Sequence, residues 1–398
     1  MSKLQALSLP PSLTDWPQKT SFVLLAGGIA LALVSVAGSQ ILLSFAILAA
    51  ILQWKRLDKS ALLPAAILLP TILLLAWTIG ATLLGGGSLR DGLVKKLWLY
   101  SIILLVPLFA RGRERIRWIY HASFAVAAVS AGYGLLQFVM NPNRDPLHRI
   151  KGFMSIWMTF SGSLMLVLVA LIAYALIYGW KNHIWVVPLG LILAAALYFS
   201  QTRNALLGAC LGVAMVLLLK RPRALLILAA LVLVVFIASP DRIQQRLRAS
   251  WNPADDNTRN RIELFGTALR LIQAHPWVGV GQRVNIEAPN YRGTSEFPNW
   301  LYIHMHNNFL QIAAERGIPG LALWLWFMAQ LGWQAFKVFR ASGGGGEAGF
   351  VAAAAIGGWV ALLAAGMFEY NFGDSEVLIL FLFMMSAPHA AKVLSAKC

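Results

Sequence analysis

Cysteine is almost absent from this 398-residue chain. The two present, Cys210 in an apolar run and Cys398 at the end, offer neither a disulfide framework nor a thiolate metal site. Charge is scarce as well. Only 12% of residues are charged while 59% are hydrophobic, and the mean hydropathy is +0.67. No water-soluble globule hides that much apolar surface. Acids are the scarcest charges, 16 against 33 Lys and Arg, for a formal net charge of +17. Those acids show no D-x-D pair or clustered ligand spacing, so neither a metal nor another cofactor is expected. No internal repeat is evident, and the only low-complexity segment is the glycine linker at 343–346. Pro10, Pro11 and Pro17 make the first residues unlike a cleaved signal peptide. The basic charge lacks a recognisable nucleic-acid fold motif, so nucleic acid is not an expected partner.

What remains is a series of apolar runs of the length that crosses a bilayer as helix. They lie near 20–38, 39–54, 61–84, 93–110, 117–140, 154–179, 183–199, 204–220, 223–239, 318–339, 348–368 and 374–393, about twelve in all. The expected fold class is an all-α polytopic membrane protein, embedded in membrane lipids. Three parts follow: 1–239 with helices one to nine, 240–317 as one large loop with short helices, and 318–398 with helices ten to twelve. The short basic loops at 54–59, 111–117 and 220–223 fall on one side if the N-terminus shares it, and such loops stay cytoplasmic. Both termini are then inside. The large loop is outside, which in a Gram-negative cell makes it periplasmic and the membrane the inner one.

On that outer face arginine far outnumbers lysine. Guanidinium forks match phosphate oxygens bidentately and keep their charge, so the bias suggests a chemical use. Arg203 lies in SQTRNALLG, where a helix entrance adds positive potential to an anion site. Arg261 opens a helical pattern with Ile262, Phe265, Leu269 and Ile272 on one face, which Pro276, Gly279 and Gly281 terminate. The stretch HMHNNFLQIAAERGIPG, 304–320, then begins a short helix that Asn307 or Asn308 can cap. Gly317, as a left-handed C-cap, and Pro319 are expected to stop it before an apolar span. His306 is placed at a membrane surface. Glu315 is expected to pair with an arginine, and Glu369 is positioned to orient a histidine.

The order S-x-T-R-N-A-L-L-G, R-x-x-x-F-x-x-A-L, H-P-W-V-G-V-G and H-N-x-x-L-Q-x-x-x-E-x-G-I-P-G resembles the shared region of the O-antigen ligase and polymerase superfamily, over about 200–325. The sequence departs from that pattern in carrying His304 as well, and Phe265 where tryptophan is common. The resemblance implies a GT-C-like arrangement of about twelve helices with one large periplasmic loop. It also implies catalytic roles for His306, Arg203 and Arg261, an undecaprenyl pyrophosphate-linked O-antigen as donor and lipid A-core as acceptor. Further candidates to contact pyrophosphate or acceptor are Arg149, Arg259, Arg283, His304, Asn307 and Arg316. In such a site arginines neutralise the departing phosphate and His306 serves as general base, inverting the anomeric carbon without a metal. Polymerase, protein O-oligosaccharyltransferase and small-anion transporter remain as alternatives. The near absence of charge within the expected spans argues against the last.

Overall fold

In a computed structural model, residues 16–59, 62–141, 149–249, 255–293 and 297–392 are described, and no strand occurs among them. Cys398 lies outside these residues. The helices are α1 (Trp16–Leu31), α2 (Val36–Leu52), α3 (Ala65–Leu84), α4 (Gly92–Lys95), α5 (Ile102–Phe109), α6 (Arg113–Val139), α7 (Trp157–Tyr178), α8 (Val186–Phe199), α9 (Arg203–Lys220), α10 (Ala224–Ala238), α11 (Asp241–Ala249), α12 (Asp256–Ala274), α13 (Val284–Glu287), α14 (Asn308–Ala341), α15 (Gly346–Gly366) and α16 (Ser375–Lys392). Helices thus occupy the expected apolar runs. Among the described residues six are long and apolar enough to cross a membrane: α3, the run Gly92–Phe109, α6, α7, α9 and α15. The chain is an all-helical polytopic membrane protein by these criteria. The shorter apolar helices include α2, α8 and α10.

Three boundaries differ from expectation. The break between the first two helices falls at 32–35, not at 38–40, because the Ser35 side chain accepts from Gly38 N and starts α2 there. The fourth run is divided into α4, a 3-10 turn Leu97–Ser101 and α5. Gly317 does not end its helix with a left-handed cap: at φ 71° and ψ 178° it adopts a conformation open only to glycine, and α14 resumes at once.

Helices α7 and α15 form the buried axis. The run 351–358 of α15 is alanine and glycine almost throughout, and α9 meets it with Gly208 and Gly212. A methyl group at Gly208 would lie 2.7 Å from the Ala361 carbonyl oxygen, and one at Gly212 would lie 2.8 Å from that of Gly357. This is small-xxx-small packing, in which removing Cβ lets two backbones touch where lipid offers no hydrophobic drive. The antiparallel register carries Arg203, at the head of α9, toward the end of α15.

The bundle has two dissimilar ends. At one, the short basic loops join: Arg111 pairs with Asp58, Arg117 with Glu347 at 2.7 Å, and Lys220 with the Gly344 carbonyl. At the other end lies a small separate core of Leu264, Ala268, Leu271, Val280, Val284, Leu301, Tyr302 and Met305, roofed onto Ala314 of α14. The packed face of α12 is therefore Leu264, Ala268 and Leu271. Of the apolar face noted in the sequence, Ile262, Phe265 and Leu269 are exposed while Ile272 packs against this core.

Candidate active site

The beginning of α14 is sewn to the 366–372 segment. Asn307 caps the helix, its Oδ1 accepting from Phe309 N at 2.8 Å and Leu310 N at 3.0 Å, while its Nδ2 donates to Met367 O at 2.9 Å. Asn308, fully buried, donates to Asn371 Oδ1 and accepts from Phe372 N. These contacts hold His306 at φ 45°, a left-handed conformation costly for a side chain with Cβ.

Across this seam stands Glu369, with 6% of its side chain exposed, and His306 Nδ1 lies 3.2 Å from both of its oxygens. An ionised carboxylate only accepts, so Nδ1 carries the proton, and in the neutral ring the lone pair is then on Nε2. Burial pushes the Glu369 carboxyl up, but the His306 hydrogen bond, the two histidines and the Tyr370 N–H outweigh it and hold it below the usual range. His306 is 26% exposed in its side chain, so Nε2 is within reach of a substrate.

His304 has a different state. Its ring centroid lies 4.0 Å from that of His306, and its Nδ1 accepts the His306 backbone N–H at 3.2 Å. Burial first, then the neighbouring His306, lowers its pKa to about 4. It is therefore neutral at pH 7 with its proton on Nε2. The 3.6 Å approach of its Nδ1 to Glu369 is no ion pair, because that nitrogen is already an acceptor.

Arg261 reaches the same segment from α12. Its Nη1 donates to Phe368 O at 3.0 Å, beside Glu369, and the guanidinium lies 5.8 Å from the Phe368 ring centroid. Arg203 heads α9 after a turn in which Gln201 takes φ 56°. Arg149 builds that turn, donating to Ser200 O at 3.2 Å and Gln201 O at 3.4 Å while stacking over Trp157.

The remaining candidates lie elsewhere. Arg259 is over the Phe297 ring at 5.9 Å. Arg283 and Arg316 line a cavity of about 560 Å³ together with His304. Neither His306, Arg203 nor Arg261 lines it. Arg316 is buried beside Glu315 at 3.5 Å, and burial pushes the Glu315 carboxyl up against the opposing pull of Arg316, Gln311 and Tyr370. Of the expected candidates, Arg261 and Asn307 thus meet the segment that carries Glu369, Arg283 and Arg316 share a cavity with His304, and Arg149 holds the turn before Arg203.

One set of donors escaped the sequence analysis: a nitrogen from each histidine and a Glu369 oxygen lie within 4.8 Å of one another, a grouping able to hold a metal ion. Both Nδ1 atoms are already engaged in hydrogen bonds, one as donor and one as acceptor. The signal for Glu369 was a polar island, EYNFGD at 369–374, between two apolar helices.

Residues 188–325 match the family described as O-antigen ligase. The resemblance to the O-antigen ligase and polymerase superfamily carried by the sequence motifs rests on this same segment. The matched O-antigen ligase region holds Arg203, Arg261, both histidines and the Glu315–Arg316 pair. Arg149 and Glu369 fall outside it. Curated proteins give no significant match to the chain.

Proposed function

We propose that the protein is an O-antigen ligase, transferring a polysaccharide from a polyprenyl pyrophosphate donor to a sugar hydroxyl of lipid A-core. The observation that carries this reading is His306, held by Glu369 through Nδ1 with Nε2 open, next to Arg261 in a segment of the O-antigen ligase family. Nε2 of His306 takes the proton of the acceptor hydroxyl as its oxygen attacks the anomeric carbon. The bond from that carbon to pyrophosphate breaks, and configuration inverts. Glu369 stabilises the imidazolium, and Arg203 and Arg261 take up the charge of the departing pyrophosphate. The reaction is metal-independent: the histidine and carboxylate groups act as base and orienter, not as ligands.

The orientation belongs to the same proposal. The end of the bundle with the short basic loops faces the cytoplasm, and the histidine end faces the periplasm of a Gram-negative inner membrane, where lipid-linked glycan meets lipid A-core. Arg259 and Asn307 complete the surroundings, Asn307 as the cap that fixes His306.

The test is transfer by purified protein from lipid-linked glycan to lipid A-core. His306→Ala and His306→Gln are expected to lower transfer by about 10² to 10⁴, with donor binding retained. A Gln variant within a few-fold of the unsubstituted protein would remove the general-base role. Full activity after exhaustive chelation is expected; restoration only by a divalent ion would turn the histidine and carboxylate group into a metal centre. Product analysis separates ligase from polymerase: chain on the core in one case, elongated lipid-linked chain in the other.

A further inference from the structure

The 560 Å³ cavity beside the histidine pair has an unbalanced set of hydrogen-bonding groups. Lys96 lines it and uses one of its three N–H groups on the Gly373 carbonyl at 2.6 Å. Arg316, 5% exposed, has an Nε with no hydrogen-bond partner. Arg283 brings a half-exposed guanidinium that spends one N–H on the Gly85 carbonyl at 3.1 Å and lies 3.6 Å from Glu287, and Gln282, whose Oε1 is taken by Gly92 N, retains its NH₂ group. The two carboxylates in the wall already accept hydrogen bonds. Glu315 receives Gln311 at 2.8 Å and Tyr370 at 3.1 Å in addition to its contact with Arg316. Asp91 accepts from Ser88 N and Oγ. The wall therefore sets three cations, Lys96, Arg283 and Arg316, against two carboxylates, Asp91 and Glu315, and keeps N–H donors to spare, a surface that complements an occupant with anionic oxygens.

Geometry selects the substrate. His304 is part of the wall whereas His306 is not, so the cavity meets the catalytic histidine from the side of its partner ring. Arg203 and Arg261, assigned to the donor pyrophosphate, do not line it. Tyr100 and Tyr370 add aromatic surface of the kind on which sugar rings rest. Building on the ligase reading above, we propose that this cavity is the acceptor subsite and that it recognises a sugar bearing phosphate or carboxylate through Lys96, Arg283 and Arg316. The anionic group anchors the acceptor so that a neighbouring hydroxyl reaches His306 Nε2.

Two measurements on the full-length protein in nanodiscs test this. In the first, binding of a hexose phosphate and of the same unphosphorylated hexose is followed by saturation-transfer NMR on the His306→Ala protein, which needs no turnover. The phosphorylated sugar is expected to bind at least tenfold more tightly, and Lys96→Gln and Arg283→Gln to erase the difference, with Lys96→Arg restoring part of it. Equal binding of both sugars, or preference unaltered in both Gln variants, overturns the proposal. A hexuronic acid in place of the phosphate tells carboxylate from phosphate recognition. In the second, the Gln variants are expected to raise the acceptor KM at least tenfold and leave the donor KM within twofold. A matching rise in donor KM would mean that the cavity holds pyrophosphate, and would overturn the acceptor assignment. Should the protein bind hexose phosphate as expected yet transfer no glycan to lipid A-core, the ligase reading fails and the anionic-sugar site stands.

Discussion

Glu369 is a single buried carboxylate on which two histidines and a backbone N–H converge, and its charge state governs all of them. Glu369→Gln preserves the volume and a hydrogen-bond acceptor but removes the negative charge that stabilises an imidazolium. We expect kcat to fall by about 10² to 10⁴ with the donor KM unchanged, measured by steady-state transfer. His304 supplies the pH dependence. Its folded pKa of about 4 lies below the ordinary histidine value of 6.5. Folding thus favours the neutral ring, and the associated stability is complete above pH 6.5 and declines as pH falls from there toward 4. Melting temperatures of the unsubstituted protein and His304→Asn should therefore converge as pH is lowered through that window. At this scale the sequence revealed a good deal: an orienting role for Glu369 and a Glu315–arginine pair follow from residue type and position. The pairing of Glu369 with His306 in particular did not, because it joins residues 63 positions apart through the 366–372 seam. Arg149 is a substrate-contact candidate in the sequence, and its place in the turn before Arg203 is a structural contact that the sequence does not disclose.

Among the elements, two chain breaks prove to be one joint. The loop 275–281 docks on the bend of α14, with Val280 N donating to Ala314 O at 2.8 Å and Ile318 N to Pro276 O at 2.7 Å. Both sides require glycine. Gly279 has φ 66°, and a methyl at Gly317 would fall 2.0 Å from the Trp277 carbonyl oxygen. Gly317→Ala is therefore expected to separate the loop from α14 by several kcal/mol, on the scale of severe backbone defects. The check is rapid proteolysis within 256–303 and lost transfer, with the helical circular dichroism of the bundle kept. The sequence marks Gly279, Gly317 and Pro319 as stops, but spacing alone does not disclose that the stops dock together. It also leaves open which face of α12 packs, since the helix has apolar residues on two faces. Periodicity fits either face, and only the loop's own core, assembled from residues up to 305, decides that Leu264, Ala268 and Leu271 turn inward. The outward Ile262, Phe265 and Leu269, adjoining Arg261, are suited to the surface of a bilayer.

For the molecule as a whole, the apolar runs and the position of the polar loop were legible because burial in lipid imposes a long, uniform signature. How many runs cross the membrane was not, since length and hydropathy identify only six among the described residues. Sidedness is open to direct measurement. In a protein with Cys210 and Cys398 replaced, a cysteine at position 255 is expected to react with an impermeant maleimide in intact spheroplasts. One at position 113 should react only after the inner membrane is opened; reversal of the pair would invert the orientation. The helix α10 bears on the membrane itself. It has no buried residues, and its 15 residues rise about 22 Å, short of a hydrocarbon core of roughly 30 Å. Its sides are thus uncovered by the rest of the bundle and its length falls short of that thickness, and the amphipathic α11 follows immediately. For a helix of this length to cross a bilayer, the surrounding leaflets must thin at a cost of a fraction of a kcal/mol per ångström, which makes acyl-chain length the variable that decides how it is accommodated.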